Sequence, residues 1–198
     1  MRPPGHNAPI CGILLTAVLL SVPASPAVEK ADSGPWNKED TMLEDVIKAR
    51  EELDFNRDWR FIGEEVPGAH ESKYDDSAWR SVDLPHDWSI EGTFSSEWAS
   101  GTGFLPGGIG WYRKTFRLEQ PLDARRVRLE FDGVYKNSEV WCNGVFLGKR
   151  PYGYASFAYD LTPHLHSDAK PNVIAVRVDH SDHADSRWYT GSGIYRNV

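Results

Sequence analysis

Residues 126–132 (RVRLEFD) decide the fold, because their apolar side chains alternate with charged ones. In an extended chain this alternation places Val127, Leu129 and Phe131 on one side and the charged side chains on the other. Residues 173–179 (VIAVRVD) repeat the pattern. A period of two is typical of strands that bury one face and expose the other, so both stretches predict strands of an antiparallel sheet.

Residues 139–147 (EVWCNGVFL) predict a β-hairpin. Its centre is Asn143-Gly144, a pair that accepts positive φ at both central positions of a type I′ turn. Two more strands are predicted at residues 112–118 and 156–161. Short strands bounded by turns, with no helices between them, favour a β-sandwich over a parallel α/β sheet. The predicted fold class is all-β, a jelly-roll β-sandwich.

Residues 1–27 are typical of a signal peptide. A weakly positive start precedes the apolar run at 10–22 (ICGILLTAVLLSV), and small residues at 23–27 (PASPA) suit cleavage. The run is shorter than the ~20 residues that span a bilayer. A buried core helix is the less favoured alternative, because the chain turns polar directly after the run. We therefore expect export to the periplasm or the medium, with no membrane attachment after cleavage near Ala27.

A polar linker and a short helix are predicted next, at residues 28–54. Thr41 and Glu44 match a capping box, and apolar residues at helical spacing follow them. From residue 55 onward the period changes to two. The sandwich domain is therefore predicted to occupy residues 55–198.

The composition excludes several classes of function. The 198 residues carry 22 Lys and Arg against 29 Asp and Glu, a net charge of −7, together with 8 Trp, 8 Tyr and 8 Phe. So many aromatic residues argue against a disordered acidic tail, and no basic stripe is available to bind nucleic acid. Without the leader, Cys142 is the only cysteine, which excludes an intrachain disulfide.

No metal or cofactor is expected. Residues 180–185 (HSDHAD) interleave His and Asp, but they follow a predicted strand and lack helical periodicity. We interpret them as a polar loop, which is favoured over a transition-metal site. The glycines between residues 101 and 110 do not follow a strand and open a helix, so they do not indicate a nucleotide site.

A second signal comes from six short segments in a fixed order along the chain: 56–61 (NRDWRF), 74–79 (YDDSAW), 82–88 (VDLPHDW), 108–114 (GIGWYRK), 140–144 (VWCNG) and 187–198 (RWYTGSGIYRNV). Together they resemble the amino-terminal sugar-binding domain of glycoside hydrolase family 2, the family of β-galactosidases, β-glucuronidases and β-mannosidases. The resemblance covers residues 55–198. It implies a jelly-roll sandwich, in agreement with the periodicity.

The resemblance implies part of an exported retaining exo-β-glycosidase, with β-galactosidase as the favoured activity. In that family an immunoglobulin-like domain and a (β/α)8 barrel follow, and the barrel holds both catalytic glutamates. A barrel takes about 250 residues, more than this chain contains. We therefore assign no catalytic residue here and expect residues 28–198 alone to be inactive. The implied partners are the catalytic barrel and a terminal β-linked sugar; the oligomeric state is not implied.

Four residues are candidates for binding that sugar. The resemblance implies that the acidic residue before the Trp of the 187–198 segment contacts the sugar, and Asp185 is the nearest match. Arg187 and Trp188 are further candidates that could equally anchor their loop. Trp98 lies in a long loop of small polar residues and glycines at 93–108, where function concentrates. Most other tryptophans, including Trp59, Trp79, Trp111 and Trp141, are expected to fill the sandwich.

Two other functions remain open. The chain could be an autonomous carbohydrate-binding module without hydrolase activity, which the sandwich and the aromatic content suggest. It could also be a purely structural domain, in which case Asp185 would be a solvated loop acid.

Overall fold

The computed structural model describes residues 51–118, 125–166, 170–182 and 186–198. The predicted signal peptide, and most of the predicted linker and helix, lie outside the described residues, as does Asp185. Within the described part, we find no helix with the length and apolar character needed to cross a membrane.

The described residues form antiparallel β-sheets with almost no helix. The strands are β1 (Trp59–Ile62), β2 (Arg80–Val82), β3 (Gly108–Phe116), β4 (Arg128–Phe131), β5 (Ser138–Cys142), β6 (Val145–Arg150), β7 (Phe157–Asp160) and β8 (Asn172–His180). One sheet has the order β2-β1-β3-β8-β5-β6, and β4 pairs with β7 in a second sheet. Single 3₁₀ turns occur at Ser89–Glu91, Ser100–Thr102 and Thr162–His164. The predicted all-β sandwich is confirmed.

The two alternating stretches form β4 and β8, as predicted. The hairpin is also confirmed, because β5 and β6 pair around Asn143 and Gly144, whose φ angles are 50° and 82°. These positive values are those of a type I′ turn.

The core of the sandwich lies between the two sheets. Alternate side chains of β8, Ile174, Val176 and Val178, are fully buried there. They share one apolar cluster with Leu129 and Phe131 of β4. The alternation in the sequence therefore corresponds to one buried face on each sheet.

A second, smaller apolar cluster lies on the outer face of the large sheet. It joins Trp79 and Trp111 with Ala69 and Ala175, and the half-buried Trp141 packs against it. Of the four tryptophans expected to fill the sandwich, only Trp59 belongs to the main core. Trp79 and Trp111 are buried as expected, but in the outer cluster, where residues 63–79 fold over the sheet, and Trp141 is only half-buried.

One buried cation holds residues 63–79 in place. The Arg113 side chain is 1% exposed, and its guanidinium donates to the carbonyl oxygens of Ala69 (2.5 Å), Glu71 (3.0 Å) and Tyr74 (3.3 Å). Its Nε also donates to the Asp76 carboxylate at 2.8 Å. A buried charge is tolerated when its donors are satisfied in this way.

The last described segment, residues 186–198, passes through the main core and ends beside Phe55, at the start of the sandwich domain. Ile194 is fully buried in the main core, and its carbonyl oxygen accepts from the His86 N–H at 2.8 Å. Tyr135 and Gly193 form an isolated bridge, and the Phe55 N–H donates to the Val198 oxygen at 3.0 Å. These bonds fix residues 193–198 and thereby the point at which residues 186–192 leave the core.

Candidate functional site

Three of the four candidate residues lie on two neighbouring loops. Arg187 and Trp188 belong to the segment 186–192, and Trp98 belongs to the loop 93–107. The Trp188 side chain is 62% exposed and Trp98 is 37% exposed, and Arg187 is exposed as well. The exposure expected for Trp98 is confirmed, and its contact with sugar stays a prediction.

The two loops touch at two glycines. A Cβ at Gly101 would lie 2.7 Å from the Ser186 carbonyl oxygen, so only a glycine allows this approach. A Cβ at Gly103 would lie 3.4 Å from a ring carbon of Tyr189. The structure therefore brings the Trp98 loop against the Trp188 segment.

The loop around Trp98 has its own hydrogen bonds. The Ser95 N–H donates to the Phe104 carbonyl at 3.0 Å, and the Thr102 hydroxyl lies 2.8 Å from the Ala99 oxygen and 2.9 Å from the Leu105 oxygen. The glycines and small polar residues thus form defined turns, and these turns leave the aromatic rings of the loop outside.

A third loop meets Trp188 from the other side. The Trp188 indole N–H donates to the Tyr154 hydroxyl at 3.0 Å, and the Tyr154 ring lies 5.6 Å from Tyr152 and 5.4 Å from Tyr135. Sequence reasoning missed Tyr152 and Tyr154. The available signal was the run Pro-Tyr-Gly-Tyr at 151–154, shortly after the predicted hairpin, because Pro and Gly indicate a turn and aromatic rings in a turn tend to be exposed.

We call the exposed rings of these three loops the aromatic surface: Phe94, Trp98, Phe104, Tyr152, Tyr154, Trp188 and Tyr189. They are seven of the eleven large hydrophobic side chains that are exposed among the described residues. Clustered exposed aromatic rings mark a binding surface more often than scattered ones do.

Asp87 lies beneath Tyr189 and fixes the Trp188 segment. Its Oδ1 accepts from the N–H groups of Ser89 (3.0 Å) and Ser192 (2.8 Å), and its Oδ2 accepts from the Tyr189 hydroxyl. Burial and this hydrogen bond raise the pKa of Tyr189, so its phenol stays a neutral donor. Asp87 was not a candidate from the sequence, because its partners lie about a hundred residues later.

A buried polar layer lies below this carboxylate. The Ser192 hydroxyl is 2.6 Å from the Ser89 hydroxyl and 2.6 Å from Nδ1 of His180. The Ser89 hydroxyl also lies 2.7 Å from the Pro106 carbonyl oxygen. His180, the first residue of the predicted polar loop, is instead the last residue of β8, where it is buried and hydrogen-bonded.

His86 connects this layer to the edge of the sheet. Its Nδ1 lies 2.7 Å from the Tyr112 hydroxyl, and its Nε2 lies 3.2 Å from a Glu91 carboxylate oxygen. Burial lowers the pKa of His86, against the opposing effect of Glu91. Arg80 donates to the same carboxylate at 2.5 Å, and this bond holds the pKa of Glu91 below its usual value.

The arrangement is suited to binding. Exposed rings can pack against the apolar CH faces of a sugar, and Arg187 supplies an exposed cation beside them. The Asp87 carboxylate is occupied by three hydrogen bonds within the protein. Among the residues with described positions, no three His, Cys, Asp or Glu side chains are grouped to hold a metal ion.

Known proteins of similar sequence are glycosidases. A β-galactosidase from Bacteroides ovatus, BoGH2A, is 58% identical over 156 residues, which are 77% of this chain and 18% of that protein. A β-glucuronidase from Formosa agariphila is 35% identical over 164 residues, or 75% of this chain and 17% of that protein. The chain thus spans less than a fifth of the length of either relative.

Solved structures give the same result. A β-glycosidase from Bacteroides vulgatus has a TM-score of 0.69 and 52% identity, covering 75% of this chain and 20% of its own. A β-glucuronidase from Bacteroides uniformis has a TM-score of 0.62 and 31% identity, covering 73% and 17%. The sequence profile described as "Glycosyl hydrolases family 2, sugar binding domain" matches residues 54–198. The chain therefore belongs to glycoside hydrolase family 2, and these residues are its sugar-binding domain.

Proposed function

We propose that this chain is the amino-terminal part of an exported retaining exo-β-glycosidase, with β-galactosidase activity, that hydrolyses O-glycosyl bonds in carbohydrate metabolism. The observation that carries the proposal is the aromatic surface, which the family segment 187–198 helps to build. The apolar run and small residues at 1–27 support export.

In this proposal the aromatic surface faces a catalytic barrel and helps complete its sugar pocket. Large exposed rings concentrated on three touching loops support a contact with another domain, since aromatic residues are enriched at interfaces. The relatives are about five times longer than their match to this chain, which supports a catalytic region outside it.

The proposed sugar contacts are Asp185, Arg187, Trp188 and Trp98. A carboxylate that accepts sugar hydroxyls forms charge-assisted hydrogen bonds, and the Asp185 assignment rests on its position three residues before Trp188. The rings would pack against sugar CH groups. β-Galactosidase is preferred because the relative at 58% identity is a β-galactosidase, whereas a putative β-glucuronidase is 46% identical and a β-glucuronidase 35% identical.

The chemistry of a retaining glycosidase separates the proposed role of this chain from that of the catalytic barrel. The reaction needs a carboxylic acid that protonates the leaving oxygen and a second carboxylate as nucleophile, about 5–5.5 Å apart. We assign neither to this chain, so residues 28–198 alone should not hydrolyse glycosides. Cleavage of a nitrophenyl β-glycoside by the purified fragment, above a mock preparation, would contradict this assignment.

The experiment that tests the proposal uses the full-length product of the gene. Its kcat/KM is measured on nitrophenyl β-galactoside, β-glucuronide and β-mannoside, for the native enzyme and for Asp185→Ala. If Asp185 binds sugar, the variant loses roughly 1.5–3 kcal/mol of transition-state binding. The matched control is Asp182→Ala, since Asp182 is an exposed acid of the same loop that pairs with Lys136 at 2.9 Å.

The control should retain its activity, because the Asp182 side chain is 66% exposed and is not among the proposed sugar contacts. Equal kinetics in both variants and the native enzyme would remove Asp185 from the site. A native product that cleaves none of the three substrates would overturn the glycosidase proposal as a whole.

An autonomous carbohydrate-binding module is the second candidate, and the exposed rings of the aromatic surface favour it. It predicts that residues 28–198 bind sugar without any other domain. Titration calorimetry with galactosides, glucuronides and mannosides decides between the two: binding heat supports the module, and its absence leaves the glycosidase domain.

A further inference from the structure

We propose that Asp87 is a positioning residue, whose carboxylate holds the segment 186–192 in the arrangement that presents Trp188 and Arg187 to sugar. The inference rests on the proposed function, because it takes this segment as the sugar contact. It gives a role to a residue that lies in the family segment 82–88 but is not one of the four proposed sugar contacts.

The first argument is the span of the hydrogen bonds. Asp87 accepts from the Ser192 N–H, 105 residues later in the chain, and from the Tyr189 hydroxyl, 102 residues later. It also accepts from the Ser89 N–H, two residues later. One carboxylate therefore binds a local turn and both ends of the tetrapeptide 189–192.

The second argument is the closeness of the backbone at Gly191. Its φ is 73°, and a Cβ there would lie 2.9 Å from Oδ2 of Asp87. A side chain would be strained in this conformation and would displace the carboxylate. The turn and the carboxylate are thus fitted to each other, and the fit depends on both residues.

The third argument is that Asp87 itself lies on a fixed base. The N–H groups on either side of it, those of His86 and Trp88, donate to the carbonyl oxygens of Ile194 (2.8 Å) and Ser192 (3.1 Å). The Trp88 ring is buried and stacks on Phe61 at 5.6 Å. The backbone that carries the carboxylate is therefore held by the core.

The fourth argument concerns how the effect reaches Trp188. Tyr189 follows Trp188 directly, and the Ser186 hydroxyl donates to the Trp188 carbonyl oxygen at 2.5 Å. With Tyr189 tied to Asp87, the Trp188 backbone is held on both sides, and its indole reaches Tyr154. Because the three bonds of Asp87 stay within the protein, it acts through Tyr189 and Ser192 and does not contact the sugar itself.

The first part of the test measures hydrogen exchange of the 198-residue chain by mass spectrometry. Asp87→Ala should speed exchange of the Ser192 amide roughly 10- to 100-fold, because a charge-assisted hydrogen bond is lost. Asp87→Asn keeps an oxygen acceptor and should stay within about threefold of the native rate. Tyr189→Phe removes only the hydroxyl that donates to Asp87, so it tests the same link if Asp87→Ala does not fold.

The matched control is Asp160→Ala. Asp160 also accepts an N–H bond from the residue two positions later, Thr162, at 2.9 Å. It lies at the end of β7, opposite Arg128 of β4. Exchange of residues 186–192 should not change in this variant.

The second part measures kcat and KM of the full-length glycosidase. A misplaced sugar contact raises KM, roughly tenfold for Asp87→Ala, with recovery in Asp87→Asn. A purely structural role would lower the amount of active enzyme, and therefore the apparent kcat, at an unchanged KM.

Two results would overturn the inference. One is equal exchange of residues 186–192 in Asp87→Ala and Asp160→Ala; the other is an unchanged KM in Asp87→Ala. Failure of the proposed function is seen separately, because it appears as an inactive native enzyme before any variant is compared.

Discussion

Two stretches without regular secondary structure are each held by one charged side chain, but they differ in whether aromatic rings are buried or exposed. Arg113 fixes residues 63–79 by donating to three carbonyl oxygens and one carboxylate. Asp87 fixes residues 186–192 by accepting from the Ser192 N–H and the Tyr189 hydroxyl. The first stretch buries Trp79 and Trp111, whereas the second leaves Trp188 exposed.

The difference separates a loop that completes the fold from one that we propose binds a partner. In both, a charged side chain takes the place of the backbone partners that a strand would supply. Residues 63–79 use their aromatic rings to cover the sheet, so they complete the fold. Residues 186–192 are held equally well but keep their rings outside, so they are available to a partner. The predictions below test this contrast.

The largest expected effect is on the structural side. Arg113→Met removes the cation from the buried pair and leaves the Asp76 carboxylate and the carbonyl oxygens of Ala69 and Glu71 without their donor. Breaking such a pair costs about 3–5 kcal/mol of unfolding free energy. Urea unfolding followed by tryptophan fluorescence measures it.

The control for this variant is Arg128→Met. Arg128 is exposed and pairs with Glu130 only at 3.5 Å. Its loss should cost less than about 0.5 kcal/mol. Similar midpoints for the two variants would show that Arg113 does not hold residues 63–79.

The next prediction compares the unfolding free energy lost when a buried or an exposed tryptophan is replaced. Trp111→Ala opens a cavity in the outer cluster and removes the indole bond to Glu65, so it should lower the unfolding free energy by about 3 kcal/mol. Trp188→Ala removes an exposed ring and should cost less than about 1 kcal/mol. Denaturant unfolding of both variants measures the contrast, and equal losses would mean that Trp188 belongs to the core.

The smallest expected effect is a pH dependence of the unfolding free energy, which arises from His86, the residue before Asp87. Burial lowers the pKa of His86 in the folded protein from its ordinary value of 6.5. Between these two values the unfolded chain binds more protons, so the free energy of unfolding falls as the pH drops below about 6.5. This contribution is fully present above that pH.

His86→Gln removes the titrating group. Its unfolding free energy should therefore decrease less between about pH 7 and pH 5 than that of the native chain, as urea titrations at several pH values would show. The same decrease in both proteins would contradict a neutral, buried His86.

The strands were the predictable part of the fold. The alternation in β4 and β8 and the Asn143-Gly144 turn depend only on residues that are close together in the sequence, so they can be predicted from it. Short strands without helices between them indicated the sandwich, and the family resemblance agreed with it. The outer cluster was not predictable in this way, because alternation in β3 marks Arg113 as a solvent-facing residue until residues 63–79 are known to cover it.

The candidate site was predictable in part. The resemblance and the glycine-rich composition indicated Trp188, Arg187 and Trp98, and the structure brings their two loops into contact. Asp87 could not be found from spacing, since its main partners are about a hundred residues away and meet it only after the last segment crosses the core. Contacts of this kind depend on topology, which short motifs do not encode.

The central claim is that the aromatic surface serves the glycosidase reaction. The most direct test measures kcat/KM of the full-length enzyme for Trp188→Ala and for Phe146→Ala, two exposed rings of similar exposure, 62% and 53%. Phe146 lies on β6, outside the aromatic surface. We predict a loss of roughly tenfold or more for Trp188→Ala and none for Phe146→Ala. Equal kcat/KM values in the two variants would contradict the account.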